Sequence, residues 1–265
     1  MTRIAVLGGG IMGEALIIGF NRCLTPSPII VVAEKRADRA EYLATQHGVS
    51  IALPADACRN ADVVIVVVKP QDIRGVVEEI ASSVDDGALL ISIAAGITTA
   101  SIEAVIPHAN VVRAMPNTPA RIESGVTGVS KGVLCSDEAL AKAHQLLLSV
   151  GVVVEVPEGL QDAVTAVSGS GPAYLFYLAE GMMNGAKAVG LPEETARISV
   201  IETLLGAARL LQMGHEHPSV LRANVTSPGG TTAAAIAALE GDEVMASIAK
   251  AIEAARDRSR ELSAS

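Results

Sequence analysis

Two glycine-rich turns, one near each end of the chain, carry the residue types best suited to holding anions. The first reads AVLGGGIMGEAL and sets Gly8, Gly10 and Gly13 in the spacing G-x-G-x-x-G, with Gly9, Ile11 and Met12 between them. In a strand-turn-helix, Gly8 permits a tight turn, Gly10 lets backbone approach a pyrophosphate, and Gly13 lets helix lie against strand. The helix that opens at Ile11 and Met12 then offers unpaired N–H groups to phosphate. The second turn, NVTSPGGTTAAAIAALE, spans Asn224 to Glu240. It combines Gly229 and Gly230 with Thr226, Ser227, Thr231 and Thr232 ahead of an Ala-rich helix. Hydroxyls and free backbone N–H groups at a helix start make an anion site on the scale of one carboxylate. A plain helix cap after a turn would use the same residues, so the meaning of this turn depends on its context.

The elements that must position these turns follow from the apolar pattern. RIAVLG, PIIVVAE, DVVIVVVK, GALLISI and ANVVRAM predict strands, and Ile11–Arg22, Asp38–His47 and Gln71–Ser82 predict the helices between them. Unbroken apolar runs predict parallel strands covered on both faces. The expected fold is α/β: an N-terminal Rossmann-type doubly wound sheet over residues 1–157, then an all-α domain over residues 158–265. Strand signals stop after Pro157. Residues 160–190 read as one long helix interrupted at Gly169-Ser170-Gly171, with Pro172 kinking it. Pro192 is expected in the first turn of a second helix that runs to about Met213. A short helix at Ser219–Ala223 and an amphipathic closing helix complete the domain. A helical domain so poor in large side chains has a thin core, which predicts an obligate dimerisation domain.

Ligands of open α/β sheets lie beyond the carboxyl ends of the strands. Three more loops fall there: Val68-Lys69-Pro70, Ala94-Ala95-Gly96, and RAMPNTPA with Asn117. Each alone is ordinary turn chemistry; their shared placement points to a dinucleotide. After the second strand, Glu34 suits a ribose 2′-hydroxyl and hence NAD(H), whereas Lys35 and Arg36 suit a 2′-phosphate. Two adjacent cations outweigh one carboxylate that turns to solvent, so NADP(H) is favoured and NAD(H) is the alternative.

Composition narrows the function further. The 265 residues are half apolar, with 2% aromatics, no Trp and a net charge of −9. That charge argues against a nucleic-acid partner. The longest apolar run, VVIVVV, is far short of a membrane span, and the N-terminal run is too short for a signal peptide. Cys23, Cys58 and Cys135 have no metal or redox spacing and read as reduced core residues. The segment HEHP, His215 to Pro218, is not H-E-x-x-H, so no metal is expected, and His215 and His217 read as a surface turn. A soluble cytoplasmic protein is the expectation.

VTSPGGTT, RAMPNTP, AVSGSGPAY, VKPQ and SIAAGIT together closely resemble the pyrroline-5-carboxylate reductase family, over nearly the whole chain from Ile4 onward. The resemblance implies NAD(P)H-dependent reduction of Δ1-pyrroline-5-carboxylate to L-proline, the last step of proline biosynthesis. It also implies intertwined homodimers, in some members arranged as larger rings, with a decamer of five dimers as one such form. On this reading the first turn holds the coenzyme phosphates. The second holds the substrate through Asn224, Ser227, Gly229, Gly230, Thr231 and Thr232, and in the family it comes from the other subunit. Thr232 is the candidate catalytic residue toward the imine nitrogen, with Glu216 a second candidate for proton supply or loop support. One departure is Ala223, where the family often carries Asp. A β-hydroxyacid dehydrogenase is the enzymatic rival, but its catalytic lysine has no counterpart in Gly169-Ser170-Gly171-Pro172-Ala173-Tyr174-Leu175. A non-catalytic nucleotide-binding scaffold is the rival of another class, and the retained second turn counts against it.

Overall fold

The computed structural model describes residues 1–214 and 216–264; His215 lies outside the described residues. In chain order the elements are β1 (Arg3–Leu7), α1 (Ile11–Cys23), β2 (Ile29–Ala33), α2 (Ala37–His47), β3 (Ser50–Ile51), α3 (Pro54–Cys58) and β4 (Val63–Val66). Then come α4 (Ile73–Ile80), β5 (Leu89–Ser92), α5 (Thr99–Glu103), β6 (Asn110–Met115), β7 (Gly125–Lys131), α6 (Asp137–Leu147) and β8 (Gly151–Glu155). The helices α7 (Gln161–Val164), α8 (Gly171–Ala188), α9 (Glu193–Met213), α10 (Pro218–Asn224), α11 (Thr231–Gly241) and α12 (Val244–Ala264) follow. No helix of the described residues is long and apolar enough to cross a membrane. Two compact units divide the chain: Met1–Pro172 together with the end of the chain from Ala255, and Ala173–Ala254.

The first unit holds an eight-stranded sheet in the order β3-β2-β1-β4-β5-β6-β7-β8. The strand order reverses direction between β1 and β4, which is the switch point of a doubly wound sheet. Alternate residues serve opposite faces. Ile4, Val6, Ile65 and Ile91 join Leu16, Ile17 and Phe20 of α1 and Leu146 and Leu147 of α6. Ala5, Leu7, Val64, Val66 and Leu90 join Ile73 and Val77 of α4 and Ile102 of α5. Burial on both faces explains why these strands read as continuous apolar runs. Cys58 and Cys135 are buried, as expected, but Cys23 is exposed at the last position of α1. Burial, with Glu79 nearby, pushes the Cys58 thiol up to about 12, so it stays protonated.

The sheet is not wholly parallel: β6 and β7 run antiparallel. The segment between Met115 and Gly125 is too short for a parallel crossover, which takes roughly a dozen residues or more. The chain therefore turns back through a 3₁₀ turn at Thr118–Ile122. Pro172 does not kink a helix interior. The interruption is a π-helical stretch, Thr165–Gly169, closed by Ser170 N–H on the Thr165 carbonyl at 2.8 Å. Pro172 then falls in the first turn of α8, where a missing N–H costs no intrahelical bond. Pro192 likewise precedes α9 as its cap residue and is not in its first turn.

The end of α12 belongs to the first unit, where Ser259 Oγ donates to Asp162 Oδ1 of α7 at 2.7 Å. The second unit is all helix. Among its described residues the buried apolar ones are Ala196 and Val200, while Leu175, Phe176, Leu178, Ile198, Ile201 and Leu205 are exposed. By contrast, Phe20 is wholly buried in the first unit. Phe20→Ala should therefore cost about 3–5 kcal/mol of stability, read as a lowered urea midpoint for the sheet unit.

Candidate functional site

β1 delivers the chain into the first glycine turn at the carboxyl edge of the sheet. Gly8 has φ +113°, and its N–H donates to the Ala33 carbonyl of β2 at 2.9 Å. A Cβ on Gly8 would stand 2.7 Å from the Val67 carbonyl oxygen, and one on Gly13 would stand 2.1 Å from the Gly8 carbonyl oxygen. Backbone cannot yield to such contacts, so both positions require glycine. Gly10 precedes α1 without a side-chain cap, and a Cβ there would meet open space. The uncapped start of α1, with Ile11 exposed and Met12 turned toward the core, suits a pyrophosphate.

The Glu34 carboxylate does not turn to solvent. It folds over the turn with its side chain 10% exposed. Oε2 accepts from Gly9 N–H at 2.9 Å and Oε1 from Arg36 N–H at 3.0 Å. The Arg36 side chain, 62% exposed, lies along the same carboxylate, and Lys35 is exposed beside it. The acid and the Arg36 guanidinium therefore lie together beside the turn. Opposite them, Arg39 Nε donates to the Gly9 carbonyl at 2.7 Å, and its terminal nitrogen donates to Glu14 Oε2 at 2.6 Å. The other Glu14 oxygen lies 3.0 Å from His47 Nε2.

The three other loops singled out in the sequence follow β4, β5 and β6 on the same edge. Val68 is half-buried, Lys69 is exposed, and Pro70 opens a 3₁₀ turn. Ala94, Ala95 and Gly96 follow β5, with Gly96 at φ +80°. Glu158 pins the end of that loop: it accepts from Thr99 N–H at 2.7 Å and from the Thr99 hydroxyl at 2.8 Å, with buried Arg113 at 3.6 Å. Asn117 spends both ends of its amide on the protein. It accepts from Val126 N–H at 2.9 Å and donates to the Ser168 carbonyl of the π-helical stretch at 3.0 Å.

The second turn lies in the helical unit. Asn224 ends α10, Gly229 has φ +68°, and Gly230 N–H donates to the Ser227 carbonyl at 3.0 Å. Gly230 precedes α11 with no side-chain cap. The Thr226 hydroxyl is turned back onto the Arg222 carbonyl at 2.6 Å. Ser227, Thr231 and Thr232 keep their hydroxyls out of the described hydrogen bonds, with Thr232 half-buried and the other two exposed. Three hydroxyls beside an uncapped eleven-residue helix can bind a carboxylate. Glu216 is exposed in the preceding turn, and His217 caps α10 by accepting from Ser219 N–H at 3.3 Å.

Sequence reasoning missed Arg39, Glu14, His47 and Glu158. Arg39, Leu43 and His47 are spaced four apart on α2, a face that had a legible period but no legible target. Burial would raise the Glu14 carboxyl, but hydrogen bonds from Arg39 and His47 outweigh it and hold the group below the ordinary carboxylate range. A group with a depressed folded pKa adds stability above its unfolded value, near 4.5, and loses it as pH falls through the lower folded value. The melting temperature should therefore drop on acidification below about pH 4.5. Glu14→Gln should lower Tm at pH 7 and make that acid limb shallower, read by circular dichroism from pH 7 to 3.

Comparison with known proteins covers both turns. Residues 158–262 match the family described as pyrroline-5-carboxylate reductase dimerisation, and residues 3–96 match the family described as NADP oxidoreductase, coenzyme F420-dependent. A pyrroline-5-carboxylate reductase of Mycobacterium tuberculosis is 40% identical, over 99% of this chain and 97% of its own length. A solved pyrroline-5-carboxylate reductase of Coxiella burnetii superposes with a TM-score of 0.92 at 35% identity, covering 98% of each chain. The NADP-bound Plasmodium falciparum pyrroline carboxylate reductase shares the fold, with a TM-score of 0.86 at 24% identity over 99% of this chain and 98% of its own. With its glycine turn at the switch point of a nucleotide-binding sheet and its matched helical domain, the chain belongs to the pyrroline-5-carboxylate reductase family.

Proposed function

We propose that the protein reduces the cyclic imine of Δ1-pyrroline-5-carboxylate to L-proline with NAD(P)H, the closing step of proline biosynthesis. The single observation behind this reading is the second turn: an uncapped helix start with three disengaged hydroxyls, in a chain alike over its whole length to this family. When bound, the reduced nicotinamide supplies a hydride. The first turn, with Gly8 through Gly13, Val68, Lys69, Pro70, Ala94, Ala95, Gly96 and Asn117, is assigned to the coenzyme. Asn224, Ser227, Gly229, Gly230, Thr231 and Thr232 are assigned to the substrate. The α11 N–H groups and hydroxyls take the carboxylate without an arginine. The Thr232 hydroxyl meets the ring nitrogen, and Glu216 is the second candidate for proton supply. An imine nitrogen is partly protonated near neutral pH, so the main work left to the chain is orientation, which can lower a barrier by roughly 7–11 kcal/mol.

Lys35 and Arg36 support a preference for NADP(H) over NAD(H), since both stand exposed at the ribose end of the edge. The division into a coenzyme domain, residues 1–157, and a substrate and dimerisation domain, residues 158–265, belongs to the same reading. So does a cytoplasmic location, in keeping with three free cysteines. Oxidation of NADPH in the presence of pyrroline-5-carboxylate is the direct test. We expect turnover with a lower KM for NADPH than for NADH; no turnover with either coenzyme would remove the assignment. Thr232→Ala should lower kcat about 10- to 100-fold, the rate equivalent of a hydrogen bond to a charged group, and leave the coenzyme KM within about twofold.

The helical unit supports a homodimer, with a decamer of five dimers as the larger form. Ile198, Ile201 and Leu205 repeat at helical spacing on α9 and are 50%, 40% and 41% exposed. An apolar stripe of this kind is a subunit interface in waiting. Light scattering at micromolar concentration should give at least twice the chain mass, and Ile201→Glu should shift it toward the monomer. A monomeric wild-type protein would refute the dimer.

A further inference from the structure

Gly9 is gripped on both sides, and the two grips set two consecutive peptide planes. In a trans peptide, C=O and N–H point in opposite directions. Glu34 holds Gly9 N–H, so the Gly8 carbonyl points the other way, toward the place where Gly13 leaves room for it. Arg39 holds the Gly9 carbonyl, so Gly10 N–H points away from α2. Gly10 is also the turn position where a side chain would meet nothing within 4 Å. The open, donor-bearing side of the turn is thus set by a side chain that never faces it.

Arg39 is itself over-determined. Its side chain is 18% exposed, its terminal nitrogen is fixed by Glu14 in the first turn of α1, and its guanidinium lies 5.0 Å from the centre of the Tyr42 ring. His47 steadies Glu14 from the last turn of α2, and its own ring stands edge-on to Tyr42. One guanidinium therefore reaches two targets, a loop carbonyl and a helix carboxylate, through nitrogens of one rigid plane. A lysine ammonium is a single point and cannot span both.

We propose that Arg39 is a positioning residue for the coenzyme pyrophosphate: by locking the Gly9 carbonyl against α2, it aims the Gly10 N–H at the phosphates. Arg39 touches no reacting atom. It acts through the turn, and this inference rests on the assignment of that turn to the coenzyme.

The test is binding without imine substrate, so that a failure of the catalytic reading leaves it intact. NADPH affinity is measured by the coenzyme's own fluorescence for the full-length protein, Arg39→Ala, Arg39→Lys and Glu14→Gln. ADP-ribose, which carries the pyrophosphate, and adenosine, which does not, are measured as competitors. The expected result is a loss of about tenfold or more for NADPH and ADP-ribose in Arg39→Ala, nearly as much in Arg39→Lys, and less in Glu14→Gln, which keeps the grip on Gly9. Adenosine affinity should be unchanged. NADPH affinity within about twofold of wild type in Arg39→Lys would overturn the proposal. So would an equal loss for adenosine, which would mark general damage to the domain. Should Arg39→Ala not fold, the lysine and glutamine variants decide the matter alone.

Discussion

A peptide unit cannot turn its N–H without turning its carbonyl, and the nucleotide end of this protein is arranged around that coupling. Gly8, Gly9 and Gly10 form two planes whose directions are fixed by a carboxylate from the end of β2 and a guanidinium from α2. Two of the glycines then follow as necessities, Gly8 and Gly13. Gly13 must lack a side chain because the first plane sends a carbonyl into its place, and at Gly9 a side chain would press on the Leu43 methyl, 2.4 Å from where it would stand. The same α2 face that supplies Arg39 thus also closes the back of the turn.

Much of this was legible in the chain. β1, β2, β4, β5 and β6 announce themselves because each is apolar on both faces. The weaker strands do not. β3 is two residues long, and β7 carries Gly125 and Gly128 among polar residues. β8 sits at the sheet edge with Val152 and Val154 exposed. The reversal at β6 and β7 follows from connection length, which no periodicity reports. Glu34 is legible as the residue that follows β2, but its direction is not, because a carboxylate's orientation depends on an N–H held at a distance of 25 positions along the chain. The grip of Glu158 on Thr99 spans 59 positions and is hidden for the same reason.

The two units differ in how they are held together. The sheet unit buries Ile, Leu, Val and Phe from many elements, whereas the helical unit has long helices and hardly any buried apolar side chain among its described residues. Ala lines much of α11, which favours helix formation and close approach but contributes little area removed from water. The second turn sits within this unit, so the residues assigned to substrate lie on a scaffold with little core of its own among the described residues.

The return of the last turns of α12 to the sheet unit has an evolutionary consequence. The polypeptide leaves that unit near Pro172 and re-enters it near Ala255, with Ser259 moored to Asp162. In topological terms Ala173–Ala254 is an insertion with two stalks, not an appended tail. Swapping it between relatives requires two compatible crossover points, and a recombinant joined at only one of them inherits a loose end. The inserted helices are exchangeable only as one piece that carries both moorings.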